Sequence, residues 1–118
     1  MKFGFLGLGQ MGAAIAERLE AAGAKLEVHD PSEAAMAPFV RRGAVAHASA
    51  RSVADHAETV FACLPNGEVS LAVAAEVAAG KALRTYVEMS TIGSPTLQRI
   101  AALTGARRSE ERRVGKEC

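Results

Sequence analysis

At 118 residues the chain has room for one domain with a buried core and for no second one. Hydrophobic residues make up 49% and charged residues 23%, the balance of an ordinary globular domain, with alanine rather than aromatic residues supplying much of the apolar content. A formal net charge of +1 leaves no basic footprint for nucleic acid and no field for a membrane surface, and no apolar run approaches spanning length.

Met1 and Lys2 lead straight into an apolar strand, Phe3 to Leu6, with no secretory core. That strand runs into Gly7-Leu8-Gly9-Gln10-Met11-Gly12 and then into a helix in which Met11, Ile15 and Leu19 recur at helical spacing. Each glycine has a task at such a junction. Gly7 turns the chain out of the strand, Gly9 removes the side chain that would hold phosphate oxygens away from backbone amides, and Gly12 allows close packing of helix on sheet. The first-turn amides and the positive end of the helix dipole then face an anion. Gly23 stops this helix, and Ala24 to His29 forms a second strand ending at Asp30, 18 positions after Gly12, where a ribose-binding acid belongs. Strand, glycine loop, helix, strand and acid in that order predict a dinucleotide site.

Pro31 and Ser32 open a second helix through about Arg42, with Gly43 as its stop and a short strand from Ala44 to Ala46 beyond. Ser49 caps a brief helix through about His56, and Glu58 to Leu64 is a fourth strand with Val60 to Cys63 at its centre. Pro65-Asn66-Gly67 breaks it. A helix from about Val69 to Ala79, a fifth strand at Thr85 to Met89 and a last helix from Ser94-Pro95 through about Leu103 complete the pattern. Alternating strands and helices imply an α/β, doubly wound parallel sheet of Rossmann-like type, with right-handed crossovers giving strand order 3-2-1-4-5. Ligands bind such sheets in the crevice above the first and fourth strands.

Two cysteines, Cys63 and Cys118, show neither metal spacing nor a disulfide framework, which points to a reducing cytoplasm and no metal. Cys63 reads as a packed strand residue. His29 reads as an exposed strand terminus beside the adenosine pocket, and His47 and His56 as solvated residues away from the crevice.

Three phrases, G-F-L-G-L-G-Q-M-G from Gly4, C-L-P-N from Cys63 and E-M-S-T-I-G-S-P from Glu88, resemble the amino-terminal domain of the β-hydroxyacid dehydrogenases. That family includes 3-hydroxyisobutyrate dehydrogenase and tartronate semialdehyde reductase, and its cofactor domain is shared with 6-phosphogluconate dehydrogenase. The resemblance covers residues 1 to about 107. It implies that Gly7 to Gly12 cradle the pyrophosphate of NAD or NADP, that Leu64, Pro65 and Thr91 line the cofactor, and that Ser90 lies near the carboxylate of a small β-hydroxy acid. Read alone, Leu64 and Pro65 only end a strand, and Ser90 and Thr91 only cap a helix. Asp30 favours NAD, since a 2′-phosphate beside it would bring two anions together, and Pro31 and Ser32 stand where NADP-preferring relatives tend to place Arg. The family's catalytic lysine lies beyond the cofactor domain, so no catalytic residue is expected in this chain; relatives are usually dimers or tetramers.

The stretch Arg108 to Cys118 is charged, with little to bury, and matches residue for residue the translation of a widely used short-read sequencing adapter. Residues 1–107 hold ten basic and ten acidic side chains, so the remaining four and three supply the whole net charge. The expectation is a Rossmann domain over 1–107, incomplete at its carboxyl end, and a foreign tail over 108–118. Two rival functions stand beside an oxidoreductase fragment: a non-catalytic nucleotide-sensing module, and a structural domain with a vestigial site.

Overall fold

A computed structural model describes residues 1–89. The helix expected from Ser94, the residues Ser90 and Thr91, and the charged stretch from 108 lie outside them. Five strands alternate with four helices: β1 (Lys2–Leu6), α1 (Gln10–Ala21), β2 (Lys25–His29), α2 (Glu33–Arg41), β3 (Val45–Ala46), α3 (Ala50–His56), β4 (Thr59–Ala62), α4 (Gly67–Ala78) and β5 (Thr85–Glu88). All strands pair in parallel in the order β3-β2-β1-β4-β5, as the alternation predicts. The central strand β1 aligns Phe5 with Val28 on one side and with Phe61 on the other.

Each face of the sheet carries its own core. Under α1 and α2 lie Phe5, Leu26, Val28 and Phe39, and all four phenylalanines of the chain gather on this side. Phe61 meets Phe3 edge-on at 5.3 Å between ring centroids and stacks against Phe5 at 6.2 Å. Under α3 and α4 the core is Leu6, Val53, Ala54, Val60, Ala74, Val77 and Tyr86, mostly small side chains that let the helices lie close. Burying each of the larger side chains contributes on the order of 2 kcal/mol.

Helix ends follow local chemistry. Ser32, Ser49 and Asn66 each accept from a first-turn amide of α2, α3 and α4. Asn66 therefore starts α4 at Gly67, two residues earlier than the apolar pattern suggests, and β4 stops at Ala62 rather than Leu64. Gly23 and Gly43, both at positive φ, close α1 and α2, with Ala24 N–H donating to Leu19 and Ala44 N–H to Phe39. In α1 the stripe against the sheet is Gly12 and Ala16, while Met11 is 47% exposed. Ile15 and Leu19 are half-buried against this core, and of the three periodic residues only Met11 is turned out.

Two polar clusters sit on the α3/α4 side. His47, expected to be solvated, is instead almost covered: its Nε2 donates to Glu27 at 2.6 Å and its Nδ1 is tied to the Ser52 hydroxyl at 2.6 Å. Glu27 in mid-strand needed a partner once buried, and the turn after β3 brings one. His56 is exposed as expected, its ring 5.0 Å from that of His47. Deeper in, the Glu88 carboxyl accepts from Tyr86 Oη at 2.8 Å and from Ser70 Oγ at 3.2 Å, and all three side chains are fully buried. Burial pushes the Tyr86 phenol well above its ordinary pKa, and the charge of Glu88 and the hydrogen bond to it push it further.

The folded phenol thus keeps its proton where an unfolded tyrosine loses it. The contribution of this phenol to stability is fully present below about pH 10, the unfolded value, and is lost as pH rises through the raised folded one. Tyr86 is the only tyrosine in the chain, so phenolate absorbance reports this site alone. Phenolate is expected to appear together with loss of circular dichroism in an alkaline titration; phenolate formed in an intact fold would contradict this account.

Candidate functional site

A cleft of about 600 Å³ opens at the carboxyl ends of the central strands. Its walls come from the end of β1 and the glycine loop, the end of β2 at His29, Asp30 and Pro31, the end of β4 at Cys63, Leu64 and Pro65, and Ala50, Val69 and Val73 of the helices above. Of the residues singled out from sequence, Gly7, Gly9, Met11, Gly12, Asp30, Leu64 and Pro65 line this one cleft. Leu8 turns its side chain into the α1/α2 core and leaves its backbone at the loop, and Gln10 is exposed at the first turn of α1.

The loop is held by backbone packed on backbone. Gly7 takes φ +90°, and its N–H still donates to His29 at 3.1 Å, extending the ladder one residue past β1. A Cβ on Gly7 would overlap the Cys63 carbonyl, and one on Gly12 would overlap the Gly7 carbonyl. The sequence assigned Gly12 to packing of helix on sheet; its nearest neighbour is the glycine loop itself. Gly9 differs, because a Cβ there would meet nothing within 4 Å. It faces open space at the mouth of α1.

Gly9 is also the N-cap of α1, and it brings no side chain to the first-turn amides. Nor does an acidic residue stand in that turn. Among the described residues α1 is the one helix left without a side-chain cap, and its start lies in the cleft. Amides and helix dipole together suit an anion.

Asp30 ties the second strand to this loop. One carboxylate oxygen accepts from Leu8 N–H at 2.7 Å and the other from Ser32 N–H at 2.8 Å. The cap of α2 is Ser32, so Asp30 is not merely the residue that opens a helix. A carboxylate has about four acceptor directions, so two remain for hydroxyl groups of a ligand. The donor set and the open cradle at Gly9 fit a dinucleotide.

Sequence reasoning missed several lining residues. Val69 entered only as the approximate start of a helix, Val73 and Ala50 carried no signal, and His29, expected to be an exposed terminus, is half-buried in the wall. Lys2, Lys25 and Lys81 are exposed, and none lines the cleft.

A family model described as the NAD binding domain of 6-phosphogluconate dehydrogenase matches residues 2–110. The chain is 34% identical over 109 residues to the mitochondrial 3-hydroxyisobutyrate dehydrogenase of Drosophila melanogaster, spanning 88% of this chain and 34% of that protein. It is 37% identical over 101 residues to the cytokine-like nuclear factor N-PAC of Drosophila pseudoobscura pseudoobscura, spanning 81% of this chain and 16% of that one. Among solved structures, 3-hydroxyisobutyrate dehydrogenase of Mycobacterium tuberculosis superposes with a TM-score of 0.83 at 28% identity, covering 96% of this chain and 38% of that chain. The chain spans about a third of the length of the curated dehydrogenase it matches.

The two loop glycines should respond differently to alanine. Gly12→Ala is expected to destabilise by about 2 kcal/mol despite alanine's better helix propensity, because the obstruction is backbone held by two elements. Gly9→Ala, with open space around it, should cost no more than about 1 kcal/mol, the loss of a glycine cap. Denaturant unfolding measures both, and equal losses would contradict the packing described.

Proposed function

The chain belongs to the β-hydroxyacid dehydrogenase family, in the NAD-binding domain that it shares with 6-phosphogluconate dehydrogenase, and we propose that it is the part of an oxidoreductase that holds the coenzyme. The observation that carries the proposal is the uncapped start of α1 opening beside Asp30 into a single cleft. In this reading Gly7, Leu8, Gly9, Gln10, Met11 and Gly12 present their backbone to the pyrophosphate, and Leu64 and Pro65 cover the coenzyme from β4. Thr91 contacts it beyond β5, and Ser90 meets the substrate carboxylate. Bound here, the coenzyme would supply a nicotinamide able to exchange hydride with the carbinol carbon of a small β-hydroxy acid of the 3-hydroxyisobutyrate class. The chain's own share is to bind and orient.

We favour NAD over NADP. Asp30 has acceptor directions left for both ribose hydroxyls, and a 2′-phosphate in their place would face its charge in a partly desolvated wall. No residue of this chain is assigned the proton-transfer role, and residues 1–107 alone are expected to bind weakly and catalyse nothing. Residues 108–118 form no part of the unit in this reading, although the family match reaches residue 110 and overlaps that boundary. We further propose a cytoplasmic, oligomeric full-length protein.

The test compares NAD and NADP affinity of the full-length protein with and without Asp30→Ala. Because Asp30 also braces Leu8, both affinities should fall, and the ratio is informative. NAD is expected to lose at least about tenfold, as for hydrogen bonds to a charged acceptor, and NADP distinctly less. Equal losses would overturn the assignment of Asp30 to the ribose, and failure of the parent protein to bind either dinucleotide would overturn the function.

A further inference from the structure

His29 ends β2 one residue before Asp30 and shares the α3/α4 face of the sheet with Glu27, two positions back. Its side chain lies in the cleft wall. Nδ1 is 2.8 Å from the His47 carbonyl, which can only accept, so Nδ1 carries a proton. That carbonyl is itself well fixed. His47 N–H donates to Val28 at 2.8 Å, and its ring is pinned between Glu27 and Ser52. The orientation of the His29 ring is therefore set from outside the cleft. In the neutral ring Nε2 carries the lone pair, and among the described residues it has no partner.

The surrounding wall is apolar: Leu6, Ala50, Leu64, Val69 and Val73 offer flat hydrocarbon to a heterocycle. The polar side chains lining the cleft are His29, Asp30 and the Cys63 thiol. Asp30 is the ribose ligand in the reading above, and the base next to that ribose is adenine, which carries an exocyclic amino group in the plane of its ring. An acceptor held in an apolar wall rewards a ligand that brings a donor and penalises one that does not.

We infer that His29 is a second reader of the adenosine half, its Nε2 accepting a hydrogen bond from the adenine amino group while Nδ1 is held by the His47 carbonyl. This rests on the coenzyme assignment proposed above and extends it from the ribose to the base. The role of His47, Glu27 and Ser52 is then positioning, because they act on the ligand only through His29.

Nicotinamide hypoxanthine dinucleotide, in which a keto oxygen replaces the amino group, is the probe. The full-length protein is expected to bind NAD roughly three- to tenfold more tightly than this analogue, the worth of one net hydrogen bond. His29→Asn keeps a donor near the His47 carbonyl but has no atom at the Nε2 position, so it should bind both dinucleotides alike. His29→Gln places an amide where Nε2 stands, and because that amide can turn either its oxygen or its NH2 to the ligand it should bind both dinucleotides with little preference. A purely structural His29 would be rescued by Asn, so an Asn variant that keeps the parent's preference overturns the inference. So does a parent protein that binds NAD and the analogue equally. A parent that binds neither overturns the coenzyme assignment itself. Each ratio is taken within one variant, so a change in overall stability does not mimic the result.

Discussion

The structure depends on how closely the start of α1 can approach the end of β1. Gly12 rests on the Gly7 carbonyl and Gly7 on the Cys63 carbonyl, so three backbone segments meet where no side chain fits. The consequences spread outward from that contact. Helix α1 must present small residues to the sheet, its first turn must open at the carboxyl edge, and the glycine that caps it can offer no side chain to its amides. The first-turn amides of that helix are thus left to whatever enters the cleft, where the dipole favours an anion.

The two faces of the sheet divide the work. The α1/α2 face is filled by four phenylalanines and aliphatic side chains, and it seats the helix that follows the glycine loop. The α3/α4 face is built of small residues and two polar clusters, and it supplies most of the cleft's walls. Buried Glu27 and Glu88 are each held by hydrogen bonds, which avoids the penalty of an unpaired polar group and pins β2 to the turn after β3 and β5 to α4. Asp30 joins the faces to the loop, because its carboxylate reaches from the end of β2 to the Leu8 amide.

Much of this was legible in the sequence, and the reason is locality. The period of apolar residues, the stop glycines and the capping serines act over a few positions, so the strands, their order and the helices between them follow from the chain. The convergence of Gly7, Gly9, Gly12 and Asp30 was legible too, because a doubly wound sheet places the ends of β1, β2 and β4 side by side, whereas Leu64 and Pro65 were singled out only by the family resemblance. What could not be read depends on distance. The bond from Leu8 to Asp30 spans 22 positions, and the pair Glu27 and His47 spans 20, with no motif to announce either. His47 looked solvated because it lies in the short third-strand region away from the crevice, and only the fold brings Glu27 beneath it. Met11 was misplaced on α1: its periodicity with Ile15 and Leu19 fits the core, but of the three it alone is turned out.

In the proposed reading the amides at the mouth of α1 hold the bridging phosphates of a nicotinamide dinucleotide. A crystal structure of the full-length protein with NAD bound tests it directly. Pyrophosphate oxygens are expected about 3 Å from amide nitrogens between Gly9 and Gly12. Coenzyme lodged elsewhere, with that junction filled by side chains, would contradict it.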